Sequence, residues 1–310
     1  MSSKDGRVSV IGLGSMGFGI AQSLKNAGMD VVGYDVAPGA VERFVADGGR
    51  GASTPAEAAT DADIVVSVVV NAAQTEAVLF GQGGCAESMP SGGVFVSSAT
   101  MAPEAARELA ARLEATGRHY LDAPISGGAQ RAAEGALTVL ASGSPAAFAA
   151  ARPALDAMAA TVYELGDAPG LGAAFKMINQ LLAGVHIAAA CEAIVFAARQ
   201  GLDLRRVYDV ITTSAGNSWM FENRVPHVLE GDYRPRSAVE IFTKDLGIVL
   251  DMARAEKFPV PMASAALQLF LMTASAGMGR DDDASVARLL ARIANLDLPR
   301  AQESPGGETF

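Results

Sequence analysis

Val8-Ser9-Val10-Ile11-Gly12-Leu13-Gly14-Ser15-Met16-Gly17 carries a short β-branched run straight into a G-x-G-x-x-G pattern. The run reads as a buried strand and Ser15–Ala27 behind it as a helix, so the glycines occupy a strand-to-helix turn. Each glycine answers a backbone demand there: Gly12 the tight turn, Gly14 the close approach of main chain to a pyrophosphate, Gly17 the packing of helix on strand. The first N–H groups of such a helix point outward at its positive end, where an anion is stabilised. In a chain with 33 glycines the pattern alone is weak, and its place between strand and helix gives it weight.

A second strand, Val31–Tyr34, follows and leads into Asp35. That is about the spacing at which a carboxylate accepts hydrogen bonds from the adenosine ribose hydroxyls. A carboxylate there repels the extra phosphate of NADP, and Val36-Ala37-Pro38 supplies no arginine to attract it, so NAD is the expected cofactor. Further apolar runs at Ile64–Val68, Val94–Ser97, Tyr120–Asp122 and Thr138–Ala141 alternate with helical segments at Ala40–Ala46, Ala72–Leu79 and Pro103–Ala115. This alternation predicts a parallel sheet covered by helices, and runs without polar alternation fit strands buried on both faces. The expectation is an α/β Rossmann-type doubly wound domain over residues 1–166.

Beyond Gly166 helical periodicity extends from Gly172 to Leu296, with breaks at Gly201, Ser214–Ser218, Gly231–Pro235, Pro259–Pro261 and Gly277–Asp283. Residues 167–298 are therefore expected to form an all-α domain of five or six helices, followed by a disordered tail over 299–310. With 310 residues, 50% hydrophobic and 19% charged, the chain has material for two cored domains. A net charge of -10 argues against a nucleic-acid partner. An anionic substrate must then be met by locally placed positive groups. Cys85 and Cys191 lack metal-like spacing, which points to a reducing, cytoplasmic setting, and the polar Met1–Arg7 offers no secretory apolar run. Ala173–Ala198 is apolar and long enough to span a bilayer. Lys176, Asn179, Gln180, His186 and Glu192 interrupt it at a cost in lipid, so it is expected to be a long buried helix, with no membrane partner.

Three segments carry polar groups in apolar surroundings. In Asp122-Ala123-Pro124-Ile125-Ser126-Gly127-Gly128, the Ser126 hydroxyl and the N–H groups of Gly127 and Gly128 can form a nest for a carboxylate; a plain Gly-rich turn fits the residues equally well. In Gly170–Gln180, Lys176 and Asn179 share a helix face. Burial of Lys176 among Ala, Phe, Met and Ile would lower its pKa toward the range useful for proton transfer, whereas most lone lysines only lay their stems over apolar surface. Lys244-Asp245 is the third, and a solvated charge pair is the ordinary reading of such a dipeptide. His186 reads as a packed helix residue, and Trp219 and Phe221 suit a pocket wall and a helix core equally.

Taken in order, these segments resemble the β-hydroxyacid dehydrogenase family over roughly residues 7–298. The resemblance implies the doubly wound domain followed by an all-α 6-phosphogluconate dehydrogenase-like domain, with the site between them. It implies Lys176 as general acid/base, Ser126, Gly127 and Gly128 on the substrate carboxylate, and Asn179 orienting the substrate. It also implies Lys244 near substrate and nicotinamide, and Thr100 at the cofactor beside Gly12, Leu13, Gly14, Ser15, Met16, Gly17 and Asp35. Val68-Val69-Val70 followed by Asn71 stands where many members have Met-Leu-Pro, with Val69 and Asn71 as the candidate cofactor contacts, and Asn179-Gln180 stands where they have two asparagines; both departures bear on cofactor contacts and substrate shape. The stretches Asn179–Ile187 and Thr213–Arg224 look most like the L-threonate dehydrogenase branch. The resemblance implies an NAD-dependent oxidation of a small hydroxy acid, with 3-hydroxyisobutyrate, glycerate or tartronate semialdehyde as rival substrates, in a homodimer or homotetramer. A non-catalytic nucleotide-binding module would be expected to have lost the lysine.

Overall fold

The computed structural model describes residues 6–300; positions 1–5 and most of the expected tail, 301–310, lie outside the described residues. The chain forms two compact units divided between Met177 and Ile178. The first unit contains β1 (Arg7–Ile11), α1 (Ser15–Asn26), β2 (Asp30–Tyr34), α2 (Pro38–Ala46), β3 (Arg50–Gly51), α3 (Pro55–Ala59), β4 (Ile64–Ser67), α4 (Ala72–Phe80), β5 (Val94–Ser97), α5 (Pro103–Glu114) and β6 (His119–Asp122). It continues with β7 (Ile125–Ser126), α6 (Gly128–Ala133), β8 (Leu137–Ala141), α7 (Pro145–Met158), β9 (Ala159–Glu164) and the start of α8 (Leu171–Arg199). The second unit takes up the rest of α8 and adds α9 (Leu204–Thr212), α10 (Trp219–Glu230), α11 (Val239–Ala255), α12 (Pro261–Thr273) and α13 (Val286–Ala294).

Six parallel strands form the main sheet in the order β3-β2-β1-β4-β5-β6. The order reverses between β1 and β4, and at such a switch point a crevice opens at the carboxyl ends of the strands. Those ends share one row, since Tyr34, Ile11, Ser67, Ser97 and Asp122 are successive register partners. Every loop expected to carry chemistry in this unit thus leaves from one edge. Alternate strand residues bury on opposite faces: Val8, Val10 and Val66 pack with Ile20, Leu24 and Leu155, whereas Ile11, Val65 and Phe95 pack with Leu79, Leu109 and Leu113. Prolines open α2, α3, α5 and α7, where a missing N–H costs nothing.

Thr138–Ala141 does form a strand, but not in the main sheet. As part of β8 it pairs antiparallel with β7 and parallel with β9 in a separate three-stranded sheet. Its apolar content registers burial and is silent about the partner. β9 is mostly exposed, and in Ala159-Ala160-Thr161-Val162-Tyr163-Glu164, Val162 is the one branched aliphatic side chain, a weak strand signal. α8 also differs from a helix buried all round. It is long and apolar enough to cross a membrane, yet half of its most apolar window is buried inside the protein. Ala173, Met177, Ala183, Ile187, Cys191 and Ile194 are buried, while Phe175, Ile178, Leu182 and Phe196 are exposed. In the second unit α8 meets α11 so closely that a Cβ on Gly184 would lie 2.9 Å from the Leu246 side chain.

Candidate active site

The Gly-rich turn has the conformation its residues demand. Gly12 has φ +96, and a Cβ there would stand 2.5 Å from the Val68 carbonyl oxygen; a Cβ on Gly17 would stand 1.8 Å from the Gly12 carbonyl oxygen. Gly14 is different, because nothing lies within 4 Å of the place its Cβ would take. It is also the N-cap of α1 and offers no side-chain cap to the orphan N–H groups of the first turn. An uncapped helix start beside a bare glycine fits a pyrophosphate. Gly17→Ala tests that fit: overpacking costs about 1–3 kcal/mol, so NADH affinity in a fluorescence titration should fall roughly 10- to 100-fold, and a change under twofold would refute the assignment.

Asp35 is tied into the same turn. Its carboxylate accepts from Leu13 N at 2.7 Å and from Ala37 N at 2.8 Å, joining the loop after β1 to the end of β2. Arg43, which no motif singled out, donates from α2 to the Leu13 carbonyl at 3.2 Å. Of the remaining expected cofactor residues, Val69 follows β4 and Thr100 follows β5, and the Asn71 side chain caps α4 by accepting from Gln74 N at 2.9 Å.

Lys176 and the loop after β6 come together within the first unit. Lys176 is 7% exposed and its Nζ donates to the Ile125 carbonyl at 2.8 Å. Ile125 and Ser126 form β7, Gly127 follows with φ +141 and Gly128 opens α6 with φ +82. A Cβ on Gly127 would crowd Arg131 and Leu137, while that on Gly128 would meet nothing within 4 Å. α6 lies against α1, where a Cβ on Gly19 would be 2.7 Å from Ala133 N. That packing binds the segment behind Ser126–Gly128 to the helix behind the Gly-rich turn.

Asp122, the first residue of that loop, is 1% exposed. Burial pushes its carboxyl up to about 6, against the N–H groups of Ala173 and Gly170, the Ser142 hydroxyl and the charge of Arg107. Between about pH 4 and pH 6 the folded chain then holds a proton that the unfolded chain has released, so this group makes stability fall as pH rises through that window. The span corresponds to about 3 kcal/mol. Asp122→Asn should flatten this part of the stability profile in urea titrations from pH 4 to 7; an unchanged slope would contradict it.

The other expected residues belong to the second unit and are linked there. Asn179 Nδ2 donates to Gln180 Oε1 at 3.0 Å, Gln180 Nε2 donates to Asp245 Oδ2 at 2.5 Å, and Lys244 Nζ lies 2.5 Å from Asp245 Oδ1. The Asp245 side chain is 1% exposed, so Lys244-Asp245 is no solvated pair. Gln180, read as a departure in the sequence, joins α8 to that pair. His186 is half-buried, Trp219 is exposed, and Phe221 is buried and stacked on Tyr208 with centroids 6.2 Å apart.

Residues 7–166 match the family model described as the NAD binding domain of 6-phosphogluconate dehydrogenase. Residues 170–290 match the model described as the NAD-binding of NADP-dependent 3-hydroxyisobutyrate dehydrogenase. The chain is 53% identical over 286 residues to an L-threonate dehydrogenase of Cupriavidus necator, covering 92% of this chain and 96% of that protein. It is 48% identical over 287 residues to the L-threonate dehydrogenase of Escherichia coli K12, covering 92% and 95%. A crystal structure described as 3-hydroxyisobutyrate dehydrogenase from Salmonella typhimurium matches with a TM-score of 0.88 at 50% identity, covering 92% of this chain and 100% of that one. The doubly wound sheet, the helical second unit and these matches over nearly the whole length agree: the chain belongs to the β-hydroxyacid dehydrogenase family, on its L-threonate dehydrogenase branch, and is an oxidoreductase with a nicotinamide cofactor.

Proposed function

We propose that this protein oxidises L-threonate at its C2 hydroxyl with NAD, giving 2-oxo-tetronate and NADH, and that Lys176 is the general acid/base. The observation that carries the reading is the buried Lys176 Nζ, bonded to the Ile125 carbonyl immediately ahead of Ser126-Gly127-Gly128. A lysine held there serves a substrate whose carboxylate is received by the Ser126 hydroxyl and the N–H groups of the two glycines. In the forward direction Lys176 Nζ, neutral at that moment, takes the hydroxyl proton while the hydrogen on the same carbon leaves as hydride. The nicotinamide, when bound, supplies the hydride acceptor. Gly12 to Gly17 and the start of α1 hold the pyrophosphate, Asp35 the adenosine ribose, and Val69, Asn71 and Thr100 line the cofactor side. Asn179 and Lys244 are assigned to substrate and cofactor by the resemblance of their motifs alone. Residues 1–166 form the nucleotide domain and 167–298 the domain opened by the lysine-bearing helix, in keeping with the extents of the two family models.

The deciding experiment follows NADH or NADPH formation over L-threonate, 3-hydroxyisobutyrate and glycerate, with tartronate semialdehyde run in the reducing direction. L-threonate with NAD should be turned over fastest. Inert threonate beside active 3-hydroxyisobutyrate, the activity in the description of the Salmonella relative, would overturn the substrate. The NAD preference rests on Asp35, and faster turnover with NADP would overturn that part.

The chain assembles as a homodimer or homotetramer in the cytoplasm in this reading. Ile178, 62% exposed, Leu182 and Phe196, 65% exposed, leave apolar surface on α8, and a second copy covers it more cheaply than water. Light scattering should give a multiple of 31.7 kDa, reduced in Phe196→Glu; a wild-type monomer would remove this part of the reading.

A further inference from the structure

The helix that carries Lys176 begins without a cap of its own. The residue ahead of its first turn is Gly170, with φ +103, which has no side chain to offer the orphan N–H groups of a helix start. Two side chains distant in sequence supply what is missing. Gly170 N and Ala173 N donate to Asp122 Oδ2 at 2.9 and 2.8 Å, and Gly172 N donates to Ser142 Oγ at 2.9 Å. Ser142 Oγ in turn donates to Asp122 Oδ2 at 3.3 Å. The two residues are also joined main chain to main chain, Asp122 N to Ser142 O at 3.0 Å and Ser142 N to Asp122 O at 2.8 Å. Both are buried.

The seat has little room for movement. A Cβ on Gly172 would lie 2.4 Å from the Leu140 carbonyl oxygen and 2.8 Å from that of Asp122, so the first turn of α8 rests directly on strand backbone. One turn further on, Lys176 Nζ reaches the Ile125 carbonyl at 2.8 Å. The segment Asp122–Ile125 is therefore clamped to α8 at both ends, by its carboxylate at the helix start and by its carbonyl at the lysine. Proton transfer demands placement to a fraction of an ångström, and a misplacement of about 1 Å can cost roughly a hundredfold in rate.

We propose that Asp122 and Ser142 act as a remote cap that positions the catalytic lysine: they set the height and rotation of α8 against the Ser126–Gly128 loop, and so the point at which Lys176 Nζ meets the substrate hydroxyl. This inference rests on Lys176 being the acid/base. Asp122 and Ser142 are positioning residues that act through that lysine. A carboxylate suits the task better than a hydroxyl alone, since one oxygen accepts two N–H groups and its charge is favourable at the positive end of a helix.

The test compares Asp122→Ala, Asp122→Asn, Ser142→Ala, Lys176→Ala and the double variant Lys176→Ala/Asp122→Ala, using L-threonate or whichever panel substrate proves active. Asp122→Ala should lower kcat about a hundredfold while NADH affinity stays within about twofold. Asp122→Asn, whose amide oxygen still accepts both N–H groups, should recover most of the loss, and Ser142→Ala should fall between. In the Lys176→Ala background, removal of Asp122 should cost almost nothing more, because the device acts through an amine that is gone. Three outcomes overturn the proposal: near-wild-type kcat in Asp122→Ala; equal losses from Asp122→Ala with and without the lysine; or, should Asp122→Ala not fold, wild-type kcat in Ser142→Ala. A fully active Lys176→Ala would instead remove the acid/base reading on which the inference stands.

Discussion

Lys176→Ala should lower kcat for the hydroxy acid by about 10³- to 10⁴-fold, with NADH affinity unchanged. A positioned acid/base contributes about 10²- to 10⁴-fold, and the upper end is expected because the amine is buried. The Nζ lies 2.8 Å from the Ile125 carbonyl at 7% exposure, so bulk water is a poor substitute. Lys176→Arg should be almost as inactive, since a guanidinium does not give up its proton near neutral pH. Steady-state NADH formation with a parallel NADH titration measures both. A Lys176→Ala enzyme within tenfold of wild type would mean that another group moves the proton.

Arg224→Ala should destabilise the protein by about 3–5 kcal/mol, the usual cost of stranding one member of a buried ion pair. Arg224 Nε and Nη2 reach the two oxygens of Asp283 at 2.6 and 3.0 Å, a bidentate fit that holds α10 to the segment ahead of α13. The Asp283 side chain is fully buried. Burial pushes its carboxyl above the usual range, and the Arg224 guanidinium opposes that rise. Beside it His227 Nδ1 stands 2.8 Å from Asp282 Oδ1, which also accepts from Ala284 N, so removal of Arg224 leaves Asp283 buried next to a second carboxyl with the Ser237 hydroxyl beside it as a side-chain donor. Against a total stability of about 5–15 kcal/mol the loss would be visible as a large fall in the urea midpoint. Arg224→Met combined with Asp283→Leu should recover most of it, because an apolar pair of similar volume removes the desolvation cost. A midpoint shift worth less than about 1 kcal/mol in Arg224→Ala would show that the pair behaves as a surface bridge.

Much of the fold was legible because burial on both faces of a sheet leaves apolar runs and a Gly-rich turn leaves obligatory glycines. Val8–Ile11, Ile64–Ser67 and Val94–Ser97 are strands in the places their residues suggest. β9 escaped because exposed residues need no apolar pattern, and β3 because two residues carry none. In the site, Lys176 and Ser126–Gly128 could be picked out as polar groups in apolar surroundings. Asp122, Ser142, Gln180 and Asp245 could not be assigned work, since each acts through a partner far along the chain.

Local chemistry written along the chain was therefore enough for the Gly-rich turn between strand and helix, the alternation of strands and helices, and the lysine near the start of a long helix. Each depends on residues within a few turns of one another, where backbone geometry leaves few alternatives. Tertiary contact alone decided that β8 leaves the main sheet for β7 and β9. It also decided that α8 is buried along one side and open along the other, and that Asp122 and Ser142 complete a helix start 48 and 30 residues away. The physical reason is that an orphan N–H can donate to any oxygen the fold delivers, and which oxygen arrives depends on packing rather than on neighbours in sequence.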